Sequence, residues 1–203
     1  MTLALIDYGA GNLRSAENAL RAAGATDVTV TSDPEIVRRA DRIVLPGVGA
    51  FGQCIGAIRG RPGLEEAMGE AVLTRGRPFL GICVGMQLLA TTGHEFGAHA
   101  GLGWIGGDVR RLEPADPALR IPHMGWNAVK AERPGLVADG WAYFVHSYAF
   151  HAAEPGDVLA TTDHGGPLVA AVARGPILGV QFHPEKSQAW GLAFLARFLA
   201  WAP

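Results

Sequence analysis

Four short runs in the first half of the chain are rich in apolar residues, three of them without polar alternation, and a segment with helical spacing follows the first, second and fourth. Leu3–Tyr8, Val28–Thr31, Arg42–Leu45 and Pro78–Ile82 read as strands. A strand that is apolar on both sides has to be covered on both faces, which points to a parallel sheet between two layers of helix. Asn12–Ala23 has helical spacing through Leu13, Ala16, Leu20 and Ala23, with Gly24 as its C-cap. Asp33-Pro34 opens a helix in the favoured arrangement of cap and first-turn proline. Leu64–Thr74 and Val84–Thr91 are also expected to be helical. The second half is richer in strands. Candidates are Trp104–Arg111, Asn127–Lys130, Trp141–Val145, Asp157–Thr161, Leu168–Ala173 and Ile177–Phe182, before a last helix over Ala189–Trp201. Arg174-Gly175-Pro176 makes the last two strands a hairpin. The expected fold is α/β: a mainly parallel open sheet with helices on both faces, plus an antiparallel, strand-rich C-terminal half. The strand order of that second half stays open.

Length and composition narrow the class. At 203 residues, 49% hydrophobic and 18% charged, the chain suits one domain over residues 1–203. The net charge of −2 argues against a nucleic-acid or anionic-membrane surface. Cys54 and Cys83 do not form a disulfide framework. Asp7 and the glycines at 9 and 11 cut short the opening apolar run, so no signal peptide is expected, and no stretch is long enough to span a bilayer. The cytoplasm is the expected location. Among the seven histidines there is no metal-binding spacing such as HExxH, so no metal and no cofactor is expected. Gly9-Ala10-Gly11 suggests a dinucleotide loop, but Arg14 occupies its third glycine position and the reading is rejected.

Two segments about a hundred residues apart carry the chemistry. Gly81-Ile82-Cys83-Val84-Gly85 is a cysteine version of the nucleophile elbow, in which flanking glycines let helix and strand approach closely at a sharp turn. A thiol at a helix N-terminus is favoured as thiolate. Alone, the segment fits a buried structural cysteine equally well. His183-Pro184-Glu185 ends another apolar run, and Glu185 is near enough to orient the His183 imidazole. Together they read as a Cys–His–Glu triad for thiol-dependent acyl transfer. Cys54 lacks a preceding strand and is read as structural.

These residues resemble the class I glutamine amidotransferases, and within them the glutaminase subunits of imidazole glycerol phosphate synthases. The similarity rests on 45-LPGVGAFG-52, 81-GICVGMQLL-89, 121-IPHMGWN-127, 144-FVHSY-148 and 179-GVQFHPEKS-187, with 6-IDYGAGN-12 extending it over nearly the whole chain. The resemblance implies hydrolysis of L-glutamine through a γ-glutamyl thioester on Cys83, with His183 as acid and base and Glu185 as its orienter. It places the oxyanion donors in the loop of Val48 and Gly49 and at Val84. It assigns glutamine binding to Gly49, Gly85, Gln87, Glu95, His146, Ser147 and Tyr148. Where the family often continues with a second tyrosine after Tyr148, this chain has Ala149. The resemblance also implies a heterodimer with a cyclase subunit, a (β/α)8 barrel that receives the ammonia, through Asn12, Trp126, Tyr143 and Lys186. Other readings are an amidotransferase with a different acceptor, a catalytically inactive docking module, and a cysteine hydrolase of γ-glutamyl or peptide bonds.

Overall fold

The computed structural model describes residues 1–203. Strand β1 (Thr2–Ile6) leads to helix α1 (Leu13–Ala22), β2 (Asp27–Thr31) to α2 (Pro34–Arg39), and β3 (Arg42–Gly47) to α3 (Phe51–Arg59) and α4 (Leu64–Gly69). The last helix widens into a π-helical turn over Glu70–Thr74. Strand β4 (Phe79–Cys83) is followed by the single turn α5 (Val84–Gln87). The second half contains β5 (Thr92–Gly93), β6 (His99–Ala100), β7 (Gly107–Arg111), β8 (His123–Ala131), β9 (Gly140–His146), β10 (Tyr148–Ala152), β11 (Val158–Asp163), β12 (Pro167–Arg174), β13 (Ile177–Val180) and α6 (Gln188–Ala200).

A nine-stranded sheet runs β2-β1-β3-β4-β13-β12-β11-β8-β9. Its first five strands are mutually parallel and the rest antiparallel. The parallel part is where the unalternating apolar runs lie: every residue of β3, β4 and β13 is buried. Strand β13 comes from the far end of the chain and still takes a central place beside β4, in register Val180↔Ile82. That pairing brings the end of the last apolar run to the end of β4. A smaller sheet, β10-β7-β5-β6, packs beside the large one. Helices cover the large sheet on both faces, and 52 buried residues make one continuous apolar core. No helix is long and apolar enough to cross a membrane.

Local signals act as expected at several ends. The Asp33 side chain accepts the Glu35 N–H at 2.8 Å with Pro34 in the first turn. Gly175, at φ +54°, closes the tight β12–β13 hairpin between Arg174 and Ile177. Three expectations need correction. The helix expected over Val84–Thr91 ends at Gln87, because the carbonyls of Leu88, Leu89, Ala90 and Thr91 accept N–H groups of Leu102, Ile105, Gly103 and Gly101 from the next loop. The strand expected over Trp104–Arg111 starts only at Gly107, because Trp104 turns to pack edge-on against Phe79, ring centres 5.0 Å apart. The strand expected to reach Phe182 stops at Val180, where the chain leaves the sheet towards β9.

Candidate active site

Cys83 is the last residue of β4 and sits at φ 55°, ψ −111°, a backbone conformation that non-glycine residues rarely adopt. The turn is held by close packing. A Cβ on Gly85 would collide with the Leu45 carbonyl of β3, and one on Gly81 with the Gly85 carbonyl. The elbow glycines are therefore required by backbone contact, as the motif predicts. Gly85 makes this contact and is not among the residues that line the cavity. With only one turn, α5 adds little macrodipole. Gln181 donates to the sulfur from its side chain, with Nε2 3.7 Å from Cys83 Sγ.

The base is positioned from β9. Past β13, Phe182 packs edge-on against Phe144, Trp190 and Phe194 at 6.0, 5.1 and 5.4 Å between ring centres. The His183 N–H donates to the Tyr143 carbonyl at 2.9 Å, and Ser187 Oγ donates to the His183 carbonyl while accepting the Tyr143 N–H. The ring then meets Glu185: Nδ1 and Oε1 are 2.7 Å apart, and both side chains are 4% exposed. Nδ1 therefore carries the proton that the carboxylate accepts. Burial disfavours the imidazolium, but interaction with Cys83 and Glu185 outweighs it and pushes His183 up to about 10. Nε2 is buried without a well-formed hydrogen bond to the nearby thiol, a looseness common at unliganded catalytic sites.

Cys83 and His183 open onto a cavity of about 330 Å³. Val48, Gly49 and Val84 form one side of it, with Gly49 at φ +104°. Gln87, Glu95, His146, Ser147 and Tyr148 form the other walls, and Lys186 stands at the rim. One oxygen of Glu95 accepts the Phe51 N–H at 2.7 Å, at the start of α3. Gln87 is buried, and its Nε2 donates to both the Tyr148 carbonyl and Gln181 Oε1 at 3.0 Å, which leaves its Oε1 able to accept. Cys54 lies on α3, where it is buried, and its thiol donates to the Val48 carbonyl at 3.4 Å, in keeping with a structural role.

Comparison with known proteins decides the family. The model of the glutamine amidotransferase class-I family matches residues 4–200. This chain belongs to the class I glutamine amidotransferases. The amidotransferase is 57% identical to imidazole glycerol phosphate synthase subunit HisH of Zymomonas mobilis over 100% of this chain and 97% of the relative. It is 56% identical to the HisH subunit of Caulobacter vibrioides over 100% and 99%. Among solved structures, a glutamine amidotransferase superposes with TM-score 0.75 at 20% identity, covering 98% of this chain and 99% of that one. The glutaminase domain of Trypanosoma brucei CTPS with bound acivicin gives 0.66 at 18% identity, over 100% and 95%. At such identities these two bear on the fold alone.

The residues of the amidotransferase expected at a partner interface fall in two places. Trp126 and Tyr143 are cross-strand partners on β8 and β9, ring centres 6.2 Å apart, and Lys186 Nζ lies 5.6 Å above the Tyr143 ring. Asn12 is exposed and lies behind the triad, next to Glu185 in a separate small cleft. Sequence reasoning missed Gln181, which is fully buried and donates to the nucleophile. It also gave no role to His123, whose ring bonds to His146. The signal for Gln181 was a polar residue inside an otherwise buried segment, whereas His123 lies between the exposed Pro122 and Met124 and carried no such signal.

Proposed function

We infer that the chain is the glutaminase subunit of an imidazole glycerol phosphate synthase. It hydrolyses L-glutamine to glutamate and ammonia, and passes the ammonia to a cyclase subunit in histidine biosynthesis. The observation that carries the chemistry is the buried 2.7 Å pair of His183 and Glu185 beside a thiol held at a strand-to-helix turn, with the thiol and His183 at one cavity. The full-length identity to HisH subunits supports the acceptor.

Cys83 Sγ attacks the carboxamide carbon of glutamine, and the carbonyl oxygen gains the charge. Backbone N–H groups of the Val48–Gly49 loop and of Val84 stabilise that oxyanion. The C–N bond breaks as His183 hands its Nε2 proton to the leaving amine, which gives ammonia and a γ-glutamyl thioester. His183 then takes a proton from water, which attacks the thioester and releases glutamate. Glu185 stabilises the imidazolium through both halves. Gln87 Oε1 and the second Glu95 oxygen accept from the substrate's α-ammonium, and His146, Ser147 and Tyr148 form the facing wall.

Free ammonia is protonated and lost in water, so the reaction has to be coupled to an acceptor enzyme. Exposed Trp126 and Met124 on β8, with Tyr143 and Lys186 beside them, suit a docking face for the cyclase barrel. The glycine-rich oxyanion loop gives the partner a place to act. Its Val48 carbonyl is held by Cys54, and a loop reorientation on docking switches glutamine hydrolysis from slow to fast. The test measures glutamate release with and without the cyclase and its nucleotide ligand. Acceleration by the liganded partner is expected; equal rates refute the coupling.

A further inference from the structure

Three residues outside the triad form a hydrogen-bonded chain whose proton positions are fixed from both ends. At one end, Asn127 Oδ1 accepts the Ala128 N–H at 2.8 Å, and its Nδ2 donates to the Asp163 carbonyl at 2.7 Å. This orients the amide, so Nδ2 also donates to His123 Nε2 at 3.0 Å. His123 therefore carries its proton on Nδ1 and donates it to His146 Nε2 at 2.9 Å. At the other end, His146 Nδ1 is 2.9 Å from the Tyr148 carbonyl, which can only accept, so His146 carries its proton on Nδ1. Both derivations give one pattern: each ring is neutral, with Nδ1 protonated and Nε2 accepting.

The strand pairing explains why this chain exists. His123 and His146 are cross-strand partners on β8 and β9, and both are buried. The other row of β8 carries the exposed Met124 and Trp126. The Phe144 ring stacks on His123 from one side, 4.8 Å between centres, and the His164 ring from another, 4.3 Å, with His164 Nε2 bonded to the Arg120 carbonyl. The chain ends on the Tyr148 carbonyl, which also receives Gln87 Nε2. That carbonyl is the junction of the cavity wall: His146 holds it from one side and Gln87 from the other.

We propose that His123 is a positioning residue for glutamine binding, acting through the fixed His123–His146 hydrogen bond to hold the Ser147–Tyr148 wall in place. It rests on the glutaminase reading, since the wall matters only if glutamine occupies the cavity. Without the His123 donor, His146 Nε2 is left buried and unpaired. The ring can then turn or change tautomer, and the Tyr148 carbonyl loses one of its two donors. The thiol and His183 are untouched, so the effect belongs in substrate binding rather than in the chemical step.

The test uses the synthase complex with its partner. His123→Phe keeps volume but removes the donor; His123→Asn places an amide nitrogen where Nδ1 stood. The expected result is a KM for glutamine raised about tenfold in His123→Phe with kcat within about twofold, and recovery towards wild type in His123→Asn. Nitrogen NMR of the wild-type chain is expected to show His146 protonated on Nδ1, which keeps the proposal open to test even if His123→Phe fails to fold. Unchanged KM in both variants, equal loss of kcat in both, or an Nε2-protonated or charged His146 in the wild type overturns it. If the wild-type complex itself releases no glutamate, the glutaminase reading falls instead.

Discussion

Replacing Glu185 with glutamine removes the charge opposite His183 and leaves its shape. The pair is 2.7 Å apart with both side chains 4% exposed, so solvent screening discounts little of its strength. A hydrogen bond to a charged group in such a place is worth roughly 1.5–3 kcal/mol. At about 1.4 kcal/mol per factor of ten, kcat is expected to fall by about 10- to 150-fold, because the imidazolium forms at the transition state and loses that support. Glu185 does not line the substrate cavity, so KM for glutamine stays within about twofold. The pH dependence has a definite sign. Glu185 helps hold His183 at about 10, so the variant lowers it, and the alkaline limb of the kcat profile moves towards neutral by roughly one to two units. The assay is glutamate release by the complex across pH, together with a circular dichroism check of folding. An unchanged kcat, or a loss confined to KM, refutes the orienting role.

Other expectations follow from the same geometry. Gly85→Ala puts a Cβ into the Leu45 carbonyl, so β3 or the elbow has to move; thermal unfolding is expected to fall by several degrees with loss of turnover, and a wild-type melting profile contradicts the close-packing account. Gln181→Ala removes the side-chain donor to the sulfur and the acceptor for Gln87; alkylation of Cys83 by iodoacetamide is expected to slow several-fold, and unchanged alkylation removes Gln181 from the nucleophile's support. Burial, then the neighbouring histidines, push His123 down to about 3, and burial pushes His146 down to about 4. Both rings therefore stay neutral at pH 5.5 in the folded chain, where an ordinary histidine is about 90% charged, as imidazole NMR shifts would show. Because the unfolded chain takes up those protons first, the two groups lower stability as pH falls from about 6.5 towards 4, and denaturant midpoints that do not fall over that range contradict the assignment.

The parallel half of the sheet was legible because burial on both faces leaves its mark in each run: β1, β3 and β4 are apolar without alternation. The antiparallel half was legible only as strands and one hairpin, that of β12 and β13. Nothing local says that β13 inserts beside β4, or that β8 and β9 form the far edge. Helix α3 went unread because Gly52 and Gly56 interrupt its pattern, although the Phe51, Cys54, Ile55 and Ile58 face is buried. The two-residue strands β5 and β6 are too brief to show a period. At the site the balance is similar. Cys83, His183 and Glu185 lie in compact segments whose spacing carries the chemistry. His123 and Gln181 act only through pairings between distant strands, so their roles emerge with the register His123↔His146 and the approach of β13 to α5.

The central claim is that Cys83, His183 and Glu185 release ammonia from glutamine through a thioester. The most direct measurement is mass spectrometry of the intact chain, quenched in acid during turnover of glutamine with the partner and its ligand present. The account predicts a γ-glutamyl adduct on Cys83 in the wild type, and in Cys83→Ala neither adduct nor glutamate. Glutamate production by Cys83→Ala at the wild-type rate, or an acyl group carried on Cys54 instead, contradicts it.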